Sequence, residues 1–398
     1  MTGAFRTIGH PTGLTAVRAM LGGQAPHAVL IAGPPAVGKT TLALDLAAGL
    51  LCTGARGLDR PCRSCRSCRL VDHGNHPDIH RIAPTGPGGQ IVIGGKDRDV
   101  RGIRDLIGEL ALLPVEGGPR IAILESAHRM NDDAQSALLK TLEEPPAGTT
   151  LILCADDEDR LFPTVRSRCV TVRVGPVGAR DVERIVVERG LADAPTGARL
   201  ARLTGGRPGL ALAYATSPEA EAVRTEIVRT LLDLMSAGRA ERLTAGRGLL
   251  ARTAELGKLL GPPEVAASAT RRGRGAKAAA ADEAGPAASA DDASQDDAAE
   301  APARTPAADR RRALALLIEI WRDLARDIAV AGTGSASLRE TRLLEELEAT
   351  ARSMTPGEAT RAVGRLVRAS ELLDSNVSPE LLVDVLAVRW PRIARRVA

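Results

Sequence analysis

The chain has 398 residues, room for two or three domains with cores of their own, and its 44% hydrophobic and 26% charged residues exclude a disordered or low-complexity protein. No apolar run approaches the ~20 residues of a membrane span, and the N-terminal MTGAFRTIGHP lacks a signal peptide's apolar centre, so a cytoplasmic protein without membrane contact is expected. A net charge of +4 and a near absence of aromatic side chains (Phe5, Phe162, Tyr214, Trp321, Trp390) argue against a dedicated single-strand nucleic-acid surface.

A helical stretch from Leu14 to Leu21 comes first. Val29-Leu30-Ile31 then reads as a buried strand, followed by Gly33-Pro34-Pro35-Ala36-Val37-Gly38-Lys39-Thr40 and a helix. This is G-x-x-x-x-G-K-T in the strand-to-helix setting that makes the pattern a P-loop. A triphosphate needs backbone N–H groups converging on its oxygens with a helix N-terminus beneath them, a cation and a small hydroxyl for Mg²⁺. Gly33 and Gly38 let the loop curl, Lys39 supplies the charge and Thr40 the hydroxyl, with Thr41 next in the first turn. Residues 33 to 41 are the candidate site for ATP or ADP with Mg²⁺.

After the loop's helix come Cys52, Cys62, Cys65 and Cys68, spaced C-x9-C-x2-C-x2-C. In a reducing compartment such spacing points to a metal rather than to disulfides, and four thiolates suit a tetrahedral, structural Zn²⁺. His73, His76 and His80 follow closely, and one could replace a cysteine. With four thiols at hand, the histidines are expected to be structural or solvent-facing. A glycine-rich loop over 85 to 95 is expected to hold a short strand, Ile91 to Ile93. Helical spacing of Val100, Ile103, Leu106, Ile107, Leu110 and Leu113 predicts an amphipathic helix.

Arg120 to Leu124 reads as a buried strand tipped by Glu125, where a carboxylate can help to hold Mg²⁺. Asn131 caps a helix that Pro145-Pro146 end; Thr150 to Cys154 and Val170 to Val174 are two further strands. Alternating strands and helices predict a three-layer parallel α/β domain over residues 1 to 175. Helical spacing then predicts a small helical unit over 176 to 216 and a larger one over 217 to 398. Residues 262 to 309, with almost nothing larger than Ala to bury, are expected to form a disordered interruption.

GPPAVGKT, the four-cysteine insert behind it, ALLKTLEEPP from Ala137 to Pro146 and RSRC from Arg166 to Cys169 together resemble the delta-prime subunits of the bacterial DNA polymerase III clamp loader, an AAA+ family. The resemblance covers most of residues 1 to 215. It implies an AAA+ module, a helical lid and a C-terminal collar. The collar would join a five-membered ring with delta and gamma/tau subunits that loads the sliding clamp on primed DNA. It also implies that Arg168, in the matched Ser167-Arg168-Cys169, is an arginine finger for ATP on a neighbouring gamma/tau subunit. Against the hydrolysing members, which end the strand in Asp-Glu, this chain has Glu125-Ser126. Ala155 stands at the polar sensor position with Asp156 beside it, and Arg207 in Gly-Gly-Arg-Pro-Gly is out of register for the lid's sensing arginine. A missing base removes about 10²- to 10⁴-fold in rate, so nucleotide binding with little hydrolysis is expected, at most a weak ATPase. Any polymerase activity would belong to the assembly.

Two other readings compete. A working AAA+ ATPase, either a gamma/tau-like motor or another loader, would hydrolyse ATP robustly. A zinc-dependent nucleic-acid-binding module would bind DNA with a steep salt slope, which the small net charge opposes.

Overall fold

The structure is a computed structural model that describes residues 4–23, 25–86, 89–94, 100–261, 307–334, 337–355, 357–374 and 377–393. Its N-terminal part begins with α1 (Pro11–Gly22), β1 (Ala28–Ala32), α2 (Lys39–Leu51), α3 (Arg66–His73), β2 (Ile79–Ile82) and α4 (Ile103–Leu110). It continues through β3 (Arg120–Leu124), α5 (Asp132–Glu143), β4 (Thr149–Ala155), α6 (Pro163–Arg166) and β5 (Val170–Arg173). The five strands are parallel in the order β2-β3-β4-β1-β5.

β1, β3 and β4 are buried on both faces, which is why they read as unbroken apolar runs rather than as alternations. Leu30, Ala122, Leu124, Leu151 and Leu153 pack on one side with α4 and α5; Val29, Ile31, Ile121, Ile123 and Ile152 pack on the other with α1 and α2. The result is the three-layer parallel arrangement expected from the sequence. Asn131 caps α5 by accepting from the N–H of Ala134 at 2.9 Å.

Several local expectations change. The first helix starts at Pro11, because a proline without an N–H fits a first helical turn. Ile91 to Ile93 is no strand: Ile91 makes an isolated parallel bridge to Met130 and the ladder goes no further. Residues 87–88 and 95–99 of that loop lie outside the described residues. The expected helix over 100 to 113 is shorter, Ile103–Leu110, and leaves Leu112, Leu113 and Val115 exposed beyond its end. Three elements were not expected at all: α3, the strand β2 and the one-turn helix α6.

From Ala179 onward the elements among the described residues are all helices. α7 (Ala179–Glu188), α8 (Ala194–Leu203) and α9 (Pro208–Thr216) are followed by α10 (Pro218–Asp233), α11 (Arg239–Leu260) and α12 (Ala307–Ala331). α13 (Leu344–Ser353), α14 (Glu358–Glu371) and α15 (Pro379–Arg389) complete it. The expected interruption over 262 to 309 lies outside the described residues from 262 to 306, while its last three residues are already the start of α12. Buried residues from Val177 to Trp390 share one apolar cluster, so α7–α9 and the later helices pack as a continuous core. Trp321 and Trp390 meet edge to face within it, 5.3 Å between centroids, and the Trp390 indole N–H donates to Leu231 O at 2.9 Å.

Arg242 of α11 is fully buried and, among the described residues, has no carboxylate partner; its guanidinium donates to backbone carbonyls instead. The acceptors include Trp390 O at 2.5 Å, Pro391 O at 3.0 Å, Ala387 O at 3.2 Å and Met235 O at 3.3 Å. These oxygens belong to the C-terminal ends of α10 and α15, where a helix leaves its last carbonyls unpaired. Arg242→Ala is expected to strand several of them and lower stability by about 3 kcal/mol. A thermal or urea unfolding curve followed by tryptophan fluorescence measures this, since both tryptophans lie in that core; an unshifted midpoint would refute it.

Candidate functional site

The phosphate-type loop is built by the sheet. β1 pairs with β4 in the register Ala32 to Ala155, and the Gly33 N–H continues the ladder by donating to Ala155 O at 3.1 Å. A Cβ at Gly33 would fall 2.0 Å from Val174 O, so only glycine fits where the loop leaves β1. Lys39 opens α2. Its ammonium, nearly buried, donates to Gly33 O at 2.9 Å and Pro34 O at 2.7 Å and pairs with Asp156 Oδ1 at 2.6 Å.

Two more elements close on the loop. His10, ahead of α1, has Nε2 2.8 Å from Val37 O, and the Gly209 N–H at the start of α9 donates to Ala36 O at 2.9 Å. Arg207 points elsewhere, forming an ion pair with Glu319 of α12 and donating to Thr204 O at 2.9 Å. It therefore lies out of reach of a sensing role over Lys39, in line with its register in the sequence.

Glu125 stands at the tip of β3 and is buried. It is not a free carboxylate: Arg81 Nε donates to its Oε1 at 2.5 Å and Arg81 Nη2 reinforces the pair. Arg81 arrives through β2, whose pairing with β3 runs from Ile79 and Ile121 to Ile82 and Leu124. Ser126 follows with φ of 54°, left-handed for a side chain that can neither abstract a proton nor bind a metal strongly. Burial pushes the His128 imidazole below its usual range, against the opposing pull of Asp156; Nδ1 accepts from the Asp156 N–H at 3.1 Å and Nε2 faces Asp156 Oδ2 at 3.6 Å. The loop, Lys39 and the β4 tip meet through Gly33 and Asp156, while Glu125 stands at the tip of the neighbouring strand β3 against Arg81. The partners Asp156, Arg81, His10 and His128 were not foreseen in these roles. Asp156 had one available signal, its place directly after an apolar run parallel to the strand that feeds the loop.

The four cysteines also converge. Cys52 ends α2, Cys65 caps α3 by accepting from the Cys68 N–H, and all four Sγ atoms lie within 4.8 Å of one another. Among the described residues no other cluster of His, Cys, Asp or Glu does this. Tetrahedral Zn²⁺ with bonds of about 2.3 Å places its sulfurs roughly 3.8 Å apart, so the set fits the ion. The thiols differ: burial alone would raise Cys65, but N–H groups of Cys68 and Thr53 aimed at its sulfur bring it down to about 5, whereas burial pushes the Cys68 thiol well up. A Cβ at Gly54 would lie 2.9 Å from Cys62 Sγ, so the chain passes the sulfurs without a side chain. Arg63 ties the module to α2 and α3 through Asp45 and Asp72. The histidines are engaged elsewhere: His73 Nδ1 against Arg69 O, His76 Nδ1 with the Asp78 N–H and His80 Nδ1 with Glu109.

Arg168 follows α6 on the surface. It pairs with Glu143 Oε1 at 2.6 Å and donates to Thr164 O at 2.9 Å, its side chain 34% exposed. Cys169 is inert, its thiol pushed up to about 11 by burial.

The described residues combine a parallel five-stranded sheet carrying a P-loop motif with a small helical unit and a larger helical region behind it. Residues 15–178 match the family described as "DNA polymerase III, delta subunit". The DNA polymerase III subunit delta' of Pseudomonas aeruginosa is 37% identical over 203 residues, 48% of this chain and 57% of that protein. The tau subunit of Salmonella typhimurium is 32% identical over 164 residues, 41% of this chain and 23% of that protein. A gamma subunit-related protein of Thermotoga maritima overlays at a TM-score of 0.41 with 16% identity, covering 96% of this chain and 100% of that one. The N-terminal half of the chain is thus similar to DNA polymerase III delta' subunits and, over much the same length, to a tau subunit. The chain spans about half the length of the delta' relatives it matches and about a quarter of the tau subunit.

Proposed function

We propose that the chain is a clamp-loader subunit of the delta-prime type. In this reading it sits in a ring with gamma/tau and delta subunits, helps to load the sliding clamp on primed DNA, and acts in the cytoplasm. The carrying observation is chemical asymmetry between two sites in one domain. The P-loop is intact, yet the residue after Glu125 is Ser126 and Glu125 itself is paired with Arg81. Arg168, by contrast, stands on the surface with one exposed carboxylate partner, a pair worth no more than about 1 kcal/mol.

ATP or ADP with Mg²⁺ would be held by the backbone N–H groups of residues 33–38, by Lys39 and by the Thr40 hydroxyl, with Glu125 beside the ion; the bound nucleotide supplies the phosphoanhydride to be cleaved. The chain's own residues bind and orient but offer no carboxylate at 126 to take a proton from water. Zn²⁺, held by Cys52, Cys62, Cys65 and Cys68, would crosslink α2 to α3 and has no chemical step to perform. In the ring, Arg168 would exchange Glu143 for the phosphates of ATP on a gamma/tau neighbour.

Single-turnover ATP cleavage tests this reading. The isolated chain is expected to cleave about 10²- to 10⁴-fold more slowly than a gamma/tau subunit assayed alongside. A rate equal to the motor's would favour the alternative, a catalytically active AAA+ ATPase.

A further inference from the structure

Lys39 is neutralised by its own chain. An ammonium has three protons to donate, and all three are taken: Gly33 O at 2.9 Å, Pro34 O at 2.7 Å and Asp156 Oδ1 at 2.6 Å, with 8% of the side chain exposed. The carboxylate is not a chance neighbour. The β1–β4 register puts Ala155 beside Ala32, so the next residue of β4's exit necessarily faces the loop. His128 then brackets Asp156 from both sides, accepting from its N–H at 3.1 Å while Nε2 lies 3.6 Å from Oδ2.

The loop is anchored at two further carbonyls, Val37 O by His10 and Ala36 O by the Gly209 N–H of α9. It thus touches the N-terminal segment, the sheet and α9. A phosphate approaching Lys39 meets a fixed negative charge on the same ammonium, and must displace it.

We propose that Asp156 is a resident counter-ion of Lys39 that competes with nucleotide phosphate, holding the P-loop and lid in their working shape without nucleotide and setting a low nucleotide affinity. The inference deepens the reading of the P-loop given above and rests on that loop being able to take a nucleotide. It is a positioning role: Asp156 acts through Lys39. Because the lysine is available only in the fraction of molecules whose pair is open, the apparent affinity is reduced by that fraction.

The test is a titration of the full chain with a fluorescent ATP analogue and Mg²⁺, for the parent, Asp156→Asn, Asp156→Ser, Lys39→Ala and the Asp156→Asn/Lys39→Ala pair. Both Asp156 variants are expected to bind about tenfold or more tightly than the parent, and Lys39→Ala to abolish binding in either background. Thermal unfolding supplies the second readout. Without nucleotide the Asp156 variants should melt lower than the parent, and saturating ATP should close that gap. Unchanged or weaker binding by both folded Asp156 variants overturns the proposal. So does a failure of every variant, parent included, to bind at millimolar nucleotide. Neither result touches the role of Arg168, which is read from turnover of the assembled ring.

Discussion

Replacing Cys65 with serine is expected to empty the metal site and to cost the chain more than about 4 kcal/mol, the size of loss that follows removal of a metal or a disulfide rather than of one contact. The purified parent should carry about one Zn²⁺ per chain. Cys65 is the pivot of the cluster, because its sulfur both faces the other three and caps α3 through the Cys68 N–H. Serine keeps a capping oxygen but offers no thiolate, so the cap survives while the crosslink is lost. In isolated zinc peptides the ion contributes about 10–16 kcal/mol of apparent folding energy. Here the effect is smaller, since Arg63 also ties the module to Asp45 and Asp72. Metal analysis of the purified variant, together with limited proteolysis over residues 52 to 73, decides the matter. A variant that retains its zinc and its protease resistance would show that the sulfurs do not act together.

The second large effect belongs to Arg168. Arg168→Ala is expected to leave the fold and ring assembly intact, because the side chain contributes only an exposed pair with Glu143 and a bond to Thr164 O. In a ring reconstituted with gamma/tau, delta and clamp, ATP turnover at the site it serves should fall by about 10³-fold, the low end of what an arginine delivered in trans supplies. Arg168→Lys should recover little, since a point charge lacks the planar fork that spans two phosphate oxygens. Glu143→Ala provides a control with the opposite expectation: freeing Arg168 should leave turnover at or above that of the parent. Unchanged turnover in Arg168→Ala would sink the finger.

Legibility in the sequence followed the kind of signal each element carries. β1, β3 and β4 stood out as the apolar runs of buried strands, and β5, a largely exposed edge strand, by its β-branched Val170-Thr171-Val172. β2 did not: Ile79-His80-Arg81-Ile82 is a short edge strand whose interior is His and Arg, so neither alternation nor an apolar run announces it. Missing β2 had a consequence at the site, for it is β2 that delivers Arg81 to Glu125. α3 escaped for a related reason. Its start is set by a sulfur cap at Cys65 and its place by Arg63 and the thiol cluster, none of which is a periodic pattern. Past α4, Leu112 and Leu113 kept up the helical spacing, yet the helix stops at Leu110 and leaves them exposed, since nothing packs on them to repay the ordering of another turn.

Contiguous patterns were legible in the chain alone: a P-loop motif between strand and helix, four thiols within seventeen positions, Glu125-Ser126 at the end of a strand, and Arg-Ser-Arg-Cys. Each is a short stretch that its own residues define. What the tertiary structure decided is who neutralises whom. Asp156 meets Lys39 across a gap of more than a hundred residues, and Gly209 meets Ala36 across more still. Those pairings arise because a parallel sheet sets strands distant in sequence side by side with their tips aligned, and no local pattern records which tip a charge will face.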